Sequence, residues 1–448
     1  MILNSRFSLY SIFFVAFGGC LYGYNIGAMS GILLFVRTEL TITHTEASLF
    51  VGSFLAGIAI VMPIMGYLAD KFGRKLTLIL ATLTTIVSIL FMAFADNIHA
   101  LIIARFITGI AAGMLNITIP LYLTETLPEA LRGRGTVAFQ LCLCFGIFFA
   151  TLMSLSFESA SAWRSVFLIE LIPAFIVFLN IFLIPESPRW LVSRERSAQA
   201  LKALERIRTN DEAKSILLIL QKNTTDDHQN PLTIFRKKRF LVPCLLTMFV
   251  ASLNQLTGIN VFLQYDATIL SMVGFETHAI ALWGSLLITG INFLITCVAI
   301  FLVDKIERRS LLRIGLMGIL LSLTVATLAT HFLMLGHAKA LIITFALLGY
   351  IASFALGPGA LIWTLLSEVL PTKIRSMGLA ISLCVSSLSG AVFSSVFLGL
   401  ENKIGLTGIF FLCAMLSFIY GLVTFLLPAT KGKSLEDIEK NFLTQPQK

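Results

Sequence analysis

Apolar runs long enough to cross about 30 Å of hydrocarbon, which takes about 20 residues, follow one another at residues 8–36, 46–69, 75–95, 98–124, 135–157 and 163–184. After one long polar interruption they resume at 240–272, 277–303, 310–333, 338–367, 376–400 and 404–427. The pattern predicts six membrane helices, a loop and six more. The loop opens with Pro185-Glu186-Ser187-Pro188-Arg189-Trp190-Leu191 and closes with Arg236-Lys237-Lys238-Arg239. Within it Leu201, Leu204 and Ile207 recur at helical spacing among Lys202, Arg206, Arg208, Lys214 and Lys222. Such a stretch suits short amphipathic helices on a water-facing surface.

Charge placement orients the helices. Of the 33 Lys and Arg residues, 28 fall in segments on the same side as both termini. Four (Arg37, Arg164, Lys339 and Lys403) fall in the opposite loops, and Arg105 lies inside span 4. By the positive-inside rule both termini are expected in the cytoplasm, with the chain in a plasma or bacterial inner membrane. Only 13% of residues are charged, against roughly 25% in soluble domains, and the mean hydropathy is +0.90, so the lipid bilayer is the main solvent. The net charge of +9 is spread over short loops rather than along one stripe, which argues against nucleic acid as a partner. All seven cysteines sit in apolar runs without metal-ligand spacing, and no metal is expected. The first run follows Arg6 as a signal peptide does, but it lacks a clear cleavage site and reads as a retained helix.

The two halves repeat. Asp70-Lys71-Phe72-Gly73-Arg74-Lys75 follows span 2, and Asp304-Lys305-Ile306-Glu307-Arg308-Arg309 follows span 8. Glu125 and Arg132 match Glu368 and Arg375, and Pro185 matches Pro428, each at an offset of 243. The expected fold is an all-α membrane protein with twelve transmembrane helices in two pseudo-symmetric six-helix bundles. The bundles are expected at 1–184 and 239–448, the second with a short cytoplasmic tail, and an intracellular helical loop at 185–238. Duplicated halves of this kind build secondary transporters, whose substrates bind near the midplane between bundles that rock. Asp70, Arg74, Glu125, Arg132, Asp304, Arg308, Glu368 and Arg375 are candidates for a cytoplasmic gate that pairs when that side is closed. Topology anchoring is the alternative for these charges.

At this point the sequence resembles the sugar porters of the major facilitator superfamily, over nearly its whole length. The resemblance rests on Gly18-Gly19 with Tyr22-Gly23-Tyr24-Asn25, Asp70…Arg74-Lys75, Glu125…Arg132-Gly133 and the Pro185–Leu191 string. It continues through Asn254-Gln255-Leu256-Thr257-Gly258-Ile259-Asn260, Gly357-Pro358-Gly359…Trp363 and Thr430-Lys431-Gly432-Lys433-Ser434-Leu435. It implies a twelve-helix transporter of a monosaccharide, hexose or pentose, with no cofactor and a single chain as the functional unit.

Sugar recognition needs amides, which both donate and accept, and an aromatic plate for the apolar ring face. Gln140, Asn254, Gln255, Asn260, Asn292 and Trp363 supply these inside spans, though amides within spans also serve as interhelical glue. The resemblance makes Gln140, Gln255, Asn260, Asn292 and Trp363 sugar contacts. Gly258 beside Thr257 is expected to loosen span 7 so that backbone lines a cavity. The sequence departs from the family at Asn254, where a glutamine is usual, and at Gln264, where a tyrosine is common. Ser386 and Ser387 replace bulkier groups, and Ala360 and Ile362 replace prolines found in glucose facilitators. A preference for glucose or xylose therefore does not carry over.

Charges within spans are expensive and usually functional. Arg105 and Glu170 each lie about seven residues into their spans from one side, roughly 10 Å deep, and an ion pair between them is expected. Asn25 reaches the same level from the other direction. Proton-coupled relatives carry an aspartate at the Asn25 position and glucose facilitators an asparagine, so Asn25 leans the reading toward facilitated uniport. Glu170 matches a glutamate of the xylose symporter and supports the alternative, sugar–proton symport. If Arg105 stays on Glu170 the acid remains ionised; if the pair opens, the acid can take a proton. With Asn25 unable to titrate, Glu170 reads as the one proton-exchanging group near the site. A drug–proton antiporter and a non-transporting sugar sensor are the rival classes. The sugar-porter strings oppose the first, and the few residues after span 12 oppose the second. The absence of GxSxG, HExxH and P-loop motifs opposes an enzyme.

Overall fold

The computed structural model describes residues 17–127, 129–158, 162–206, 208–223, 238–275, 277–303, 305–371, 374–425 and 427. Among the described residues eleven helical stretches are long and apolar enough to cross a membrane. One of them, Met377–Val423, holds two crossings, because Gly405 at φ 68° interrupts the helix. This makes the twelve that the hydropathy pattern predicts.

The first bundle is built from α1 (Gly18–Glu39), α2 (His44–Phe72), α3 (Arg74–Ala93), α4 (Ile98–Thr126), α5 (Glu129–Ser156) and a sixth crossing split into α6 (Trp163–Ile169) and α7 (Leu171–Leu183). Local chemistry sets several starts. Thr43 and Glu46 form a reciprocal capping box on α2. The Asn97 side chain accepts from the amide of Ala100 at the start of α4. The sixth crossing breaks at Glu170 because Pro173 has no N–H to return to the carbonyl of Ile169. α1 lies against α5 with backbones in contact, so a Cβ on Gly23 or Gly27 would collide with the carbonyl of Leu143 or Ile147.

The segment between the bundles forms three short helices, α8 (Pro188–Ser193), α9 (Ser197–Glu205) and α10 (Asn210–Asn223). Ser187 caps α8, with Pro188 in its first turn. Leu191, Val192, Ala200 and Ala203 form a small separate core with Trp190, Leu217 and Leu220. Ile207 lies outside the described residues.

The second bundle opens with a crossing in three pieces, α11 (Lys238–Leu256), α12 (Ile259–Gln264) and α13 (Asp266–Met272). The expected loosening at Gly258 is a full break: its φ of 102° is left-handed, a conformation that glycine adopts without penalty. Then follow α14 (His278–Val303), α15 (Arg308–Phe332), α16 (His337–Leu356), α17 (Pro358–Val369) and α18 (Arg375–Val423). The tenth crossing divides at Gly357, before Pro358. The bundles meet where α2 packs on α18, α5 on α14, and α1 on α12, α13 and α14.

Candidate functional site

Two groups of amides lie along this interface. On α11 and α12 the Asn260 amide donates to the Gln255 carbonyl oxygen at 2.6 Å, across the break at Gly258. A Cβ placed on Gly390 of α18 would stand 3.3 Å from Gln255 Oε1 and 3.6 Å from Asn260 Nδ2, so the glycine keeps that wall open. In the second group Gln140 of α5 donates to Cys144 Sγ, which contacts Thr296 Oγ1 of α14, across the interface, at 3.4 Å. Thr296 in turn donates to the backbone carbonyl of Asn292 on α14. Asn254 is buried and its Oδ1 has no partner. Gln140 and Asn292 thus reach each other through Cys144 and Thr296, and no described hydrogen bond joins them to Gln255 or Asn260. The side chain of Trp363 lies outside the described residues.

The charged group differs from expectation. Arg105 is fully buried, yet no ion pair joins it to Glu170 among the described residues. Asn25 stands between them. Its side-chain amide donates to Glu170 Oε1 at 2.5 Å and to the carbonyl of Leu21 at 3.0 Å, while its backbone carbonyl accepts from Arg105 at 2.8 Å. Arg105 also donates to Gln264 Oε1 at 3.3 Å, and its guanidinium lies over the rings of Phe54 and Phe50, 5.1 and 5.7 Å from their centroids. A flat cation lying over aromatic rings needs no carboxylate to remain charged. Glu170 is 0% exposed and its Oε2 has no partner among the described residues. The arrangement leaves one carboxylate oxygen able to take a proton without breaking an ion pair.

At the basic end, Arg74 pairs with Asp70 at 2.8 Å and with Glu125 at 2.9 Å, and Ser187 donates to the other oxygen of Glu125. Arg308 pairs with Glu368 in the matching place of the second bundle. Each described pair stays within one bundle. The side chains of Arg132 and Arg375, and all of Asp304, lie outside the described residues. The Pro185–Leu191 string locks onto the same cluster. Glu186 accepts from the amides of Arg74 and Lys75, and Trp190 donates to the carbonyl of Asp70. Burial pushes the Glu186 carboxyl above its usual range, against the lowering effect of its amide donors and of Arg74.

Sequence reasoning missed one acid. Asp266 is wholly buried where α13 meets α1, and it, too, is a candidate proton-exchanging group. The signal was available, since an aspartate inside an otherwise apolar span is costly.

Comparisons with known proteins agree with one another. The family described as "Sugar (and other) transporter" matches residues 11–442. The galactose-proton symporter of Escherichia coli K12 is 31% identical over 442 residues, covering 98% of this chain and 95% of that protein. The glucose transporter GlcP of Staphylococcus epidermidis is 32% identical over 436 residues, 96% of each. The xylose transporter XylE from E. coli, in a partially occluded inward open conformation, superposes with a TM-score of 0.81 at 26% identity, covering 95% of this chain and 99% of that one.

Proposed function

The chain belongs to the sugar (and other) transporter family, and on that premise we propose that it carries a monosaccharide, hexose or pentose, together with a proton. Sugar transport by a multi-pass membrane protein of the major facilitator superfamily is the activity of this family, whose members are porters rather than enzymes. Three relatives point to the finer reading, since the galactose, arabinose and xylose transporters are described as proton symporters.

The observation that carries proton coupling is Glu170, buried and, among the described residues, without a cation in contact and with its side chain bonded only to an amide. The Asn25 N–H can donate to Oε1 of the charged carboxyl, more strongly, and of the neutral one, so a proton can come and go at Oε2 without the contact being broken. Gln140, Asn254, Gln255, Asn260, Asn292 and Trp363 are proposed to line the sugar site, with Arg105, Asn25 and Glu170 linking it to the proton. Asp70, Arg74, Glu125, Arg132, Asp304, Arg308, Glu368 and Arg375 are proposed as the gate. The basic end is assigned to the cytoplasm on the charge bias, and the chain is divided at 1–184, 185–238 and 239–448. One chain holds both bundles and is taken as the working unit.

Purified protein in liposomes, offered labelled pentoses and hexoses under an inward proton gradient, should accumulate one of them above equilibrium. Glu170→Gln should lose accumulation and keep sugar exchange at zero gradient. The amide at Asn25 favours a second reading, facilitated transport, in which the unmodified protein only equilibrates its sugar.

A further inference from the structure

Asp266 has a place in the fold that neither the sugar site nor Glu170 uses. It begins α13, the last piece of the broken seventh crossing, and is 0% exposed. Its Oδ1 accepts from the hydroxyl of Ser30 on α1 and from the amide of Ala267. Ser30 is in turn 3.0 Å from the hydroxyl of Ser285 on α14. The contact therefore bridges the two bundles, beside a second bridge in which Arg105 reaches Gln264, two residues earlier. Oδ2 has no partner.

We propose that Asp266 is a second proton-binding site, occupied when the outer side of the carrier is closed. The inference rests on the alternating-access reading above. An ionised carboxylate in a dry interface without a countercharge is costly. The titratable or charged side chains on the elements packed against α13 are Cys20, Tyr22, Tyr24, Arg37 and Glu39 on α1, His278 and Cys297 on α14, and His337, Lys339 and Tyr350 on α16. None of them bonds Asp266. Glu39 is held by Trp163 and Arg164, and Tyr350 donates to Thr257. Opening the outer side would separate Ser30 from Asp266 and admit water, where the carboxylate is stable. The closed state is thus the one that holds the proton, and acid outside favours closure. A metal ion fits less well. The other orphan oxygen on this helix, Thr268 Oγ1, is two residues on, a spacing that does not face the same side.

The test is a distance across the outer end, measured without sugar and without sodium. Spin labels go at Phe94→Cys and Met334→Cys, which are 75% and 92% exposed on different bundles. Cys142, Cys297 and Cys384 are replaced by alanine, and Glu170→Gln removes the other acid. In nanodiscs the long-distance population should rise at least threefold between pH 5.5 and 8.5, and Asp266→Asn should abolish that rise. A flat profile with Asp266 present, or an unchanged rise in Asp266→Asn, overturns the proposal. A shift that follows added sodium instead of pH overturns it in favour of a metal ion. Ser30→Ala, which keeps the acid but removes its closed-state donor, should raise the long-distance population at every pH; no change also overturns it. Because no sugar is present and Glu170 is absent, failure of sugar–proton symport leaves this readout unaffected.

Discussion

Gln255 and Asn260 satisfy each other across the break at Gly258, so a sugar hydroxyl entering between them exchanges one hydrogen bond for others of the same kind. Removing either amide strands its partner and the sugar. Gln255→Ala and Asn260→Ala should each cost about 1–3 kcal/mol, a rise of about 5- to 150-fold in the Kd for sugar. Calorimetry on the purified protein measures this, and near-normal affinity in both variants would return the pair to interhelical glue. These two residues were legible in the sequence because amides are rare in apolar spans. The relation of Arg105 to Glu170 was legible only as depth and sign. That Asn25 would stand between them depends on the rotation of α1 against α4 and the kink before Pro173, which one chain's hydropathy does not report. Asp266 was passed over because span 7 is apolar enough to absorb a single acid in any window average.

At the scale of elements, the twelve crossings were readable from run length, and their ends from caps such as Thr43 and Asn97. The breaks within crossings were less so. Gly258 announced itself, whereas the interruption at Tyr265 carries no glycine or proline. Gly258→Ala should cost about 1–3 kcal/mol for a left-handed non-glycine residue, and its Cβ would also meet Phe262 at 2.6 Å. A lowered melting temperature together with slowed transport is expected, and a fully active, equally stable variant would contradict it. Glu186 caps α3 from a distant segment by accepting from the amides of Arg74 and Lys75. Glu186→Ala should lower stability by about 1–2 kcal/mol, as loss of a helix cap does. Its carboxyl is raised by burial, so the folded form binds the proton more tightly than the unfolded one. Its contribution is then fully present at acid pH and is lost as pH rises through the folded value. Thermal melts of Glu186→Gln against the parent should favour the variant increasingly toward alkaline pH.

For the whole molecule, the repeat of the two halves has a structural counterpart, since Arg74–Glu125 and Arg308–Glu368 are matching pairs in the two bundles. The repeat was legible because charges at helix ends survive where apolar residues interchange freely. Contacts between the bundles were not, because packing of α2 on α18 or α5 on α14 depends on shape rather than on residue type. Glu368→Gln should weaken the basic end and bias the carrier toward opening there, which labelling of a cysteine introduced near Arg308 would report as faster modification. The central claim is that sugar entry carries a proton through Glu170. Liposomes enclosing a pH-sensitive dye, with no gradient imposed, test it most directly: adding the transported sugar outside should acidify the lumen, and Glu170→Gln should abolish that signal while sugar still exchanges. Sugar entry by the unmodified protein with no change in lumenal pH would contradict the account and leave a facilitator.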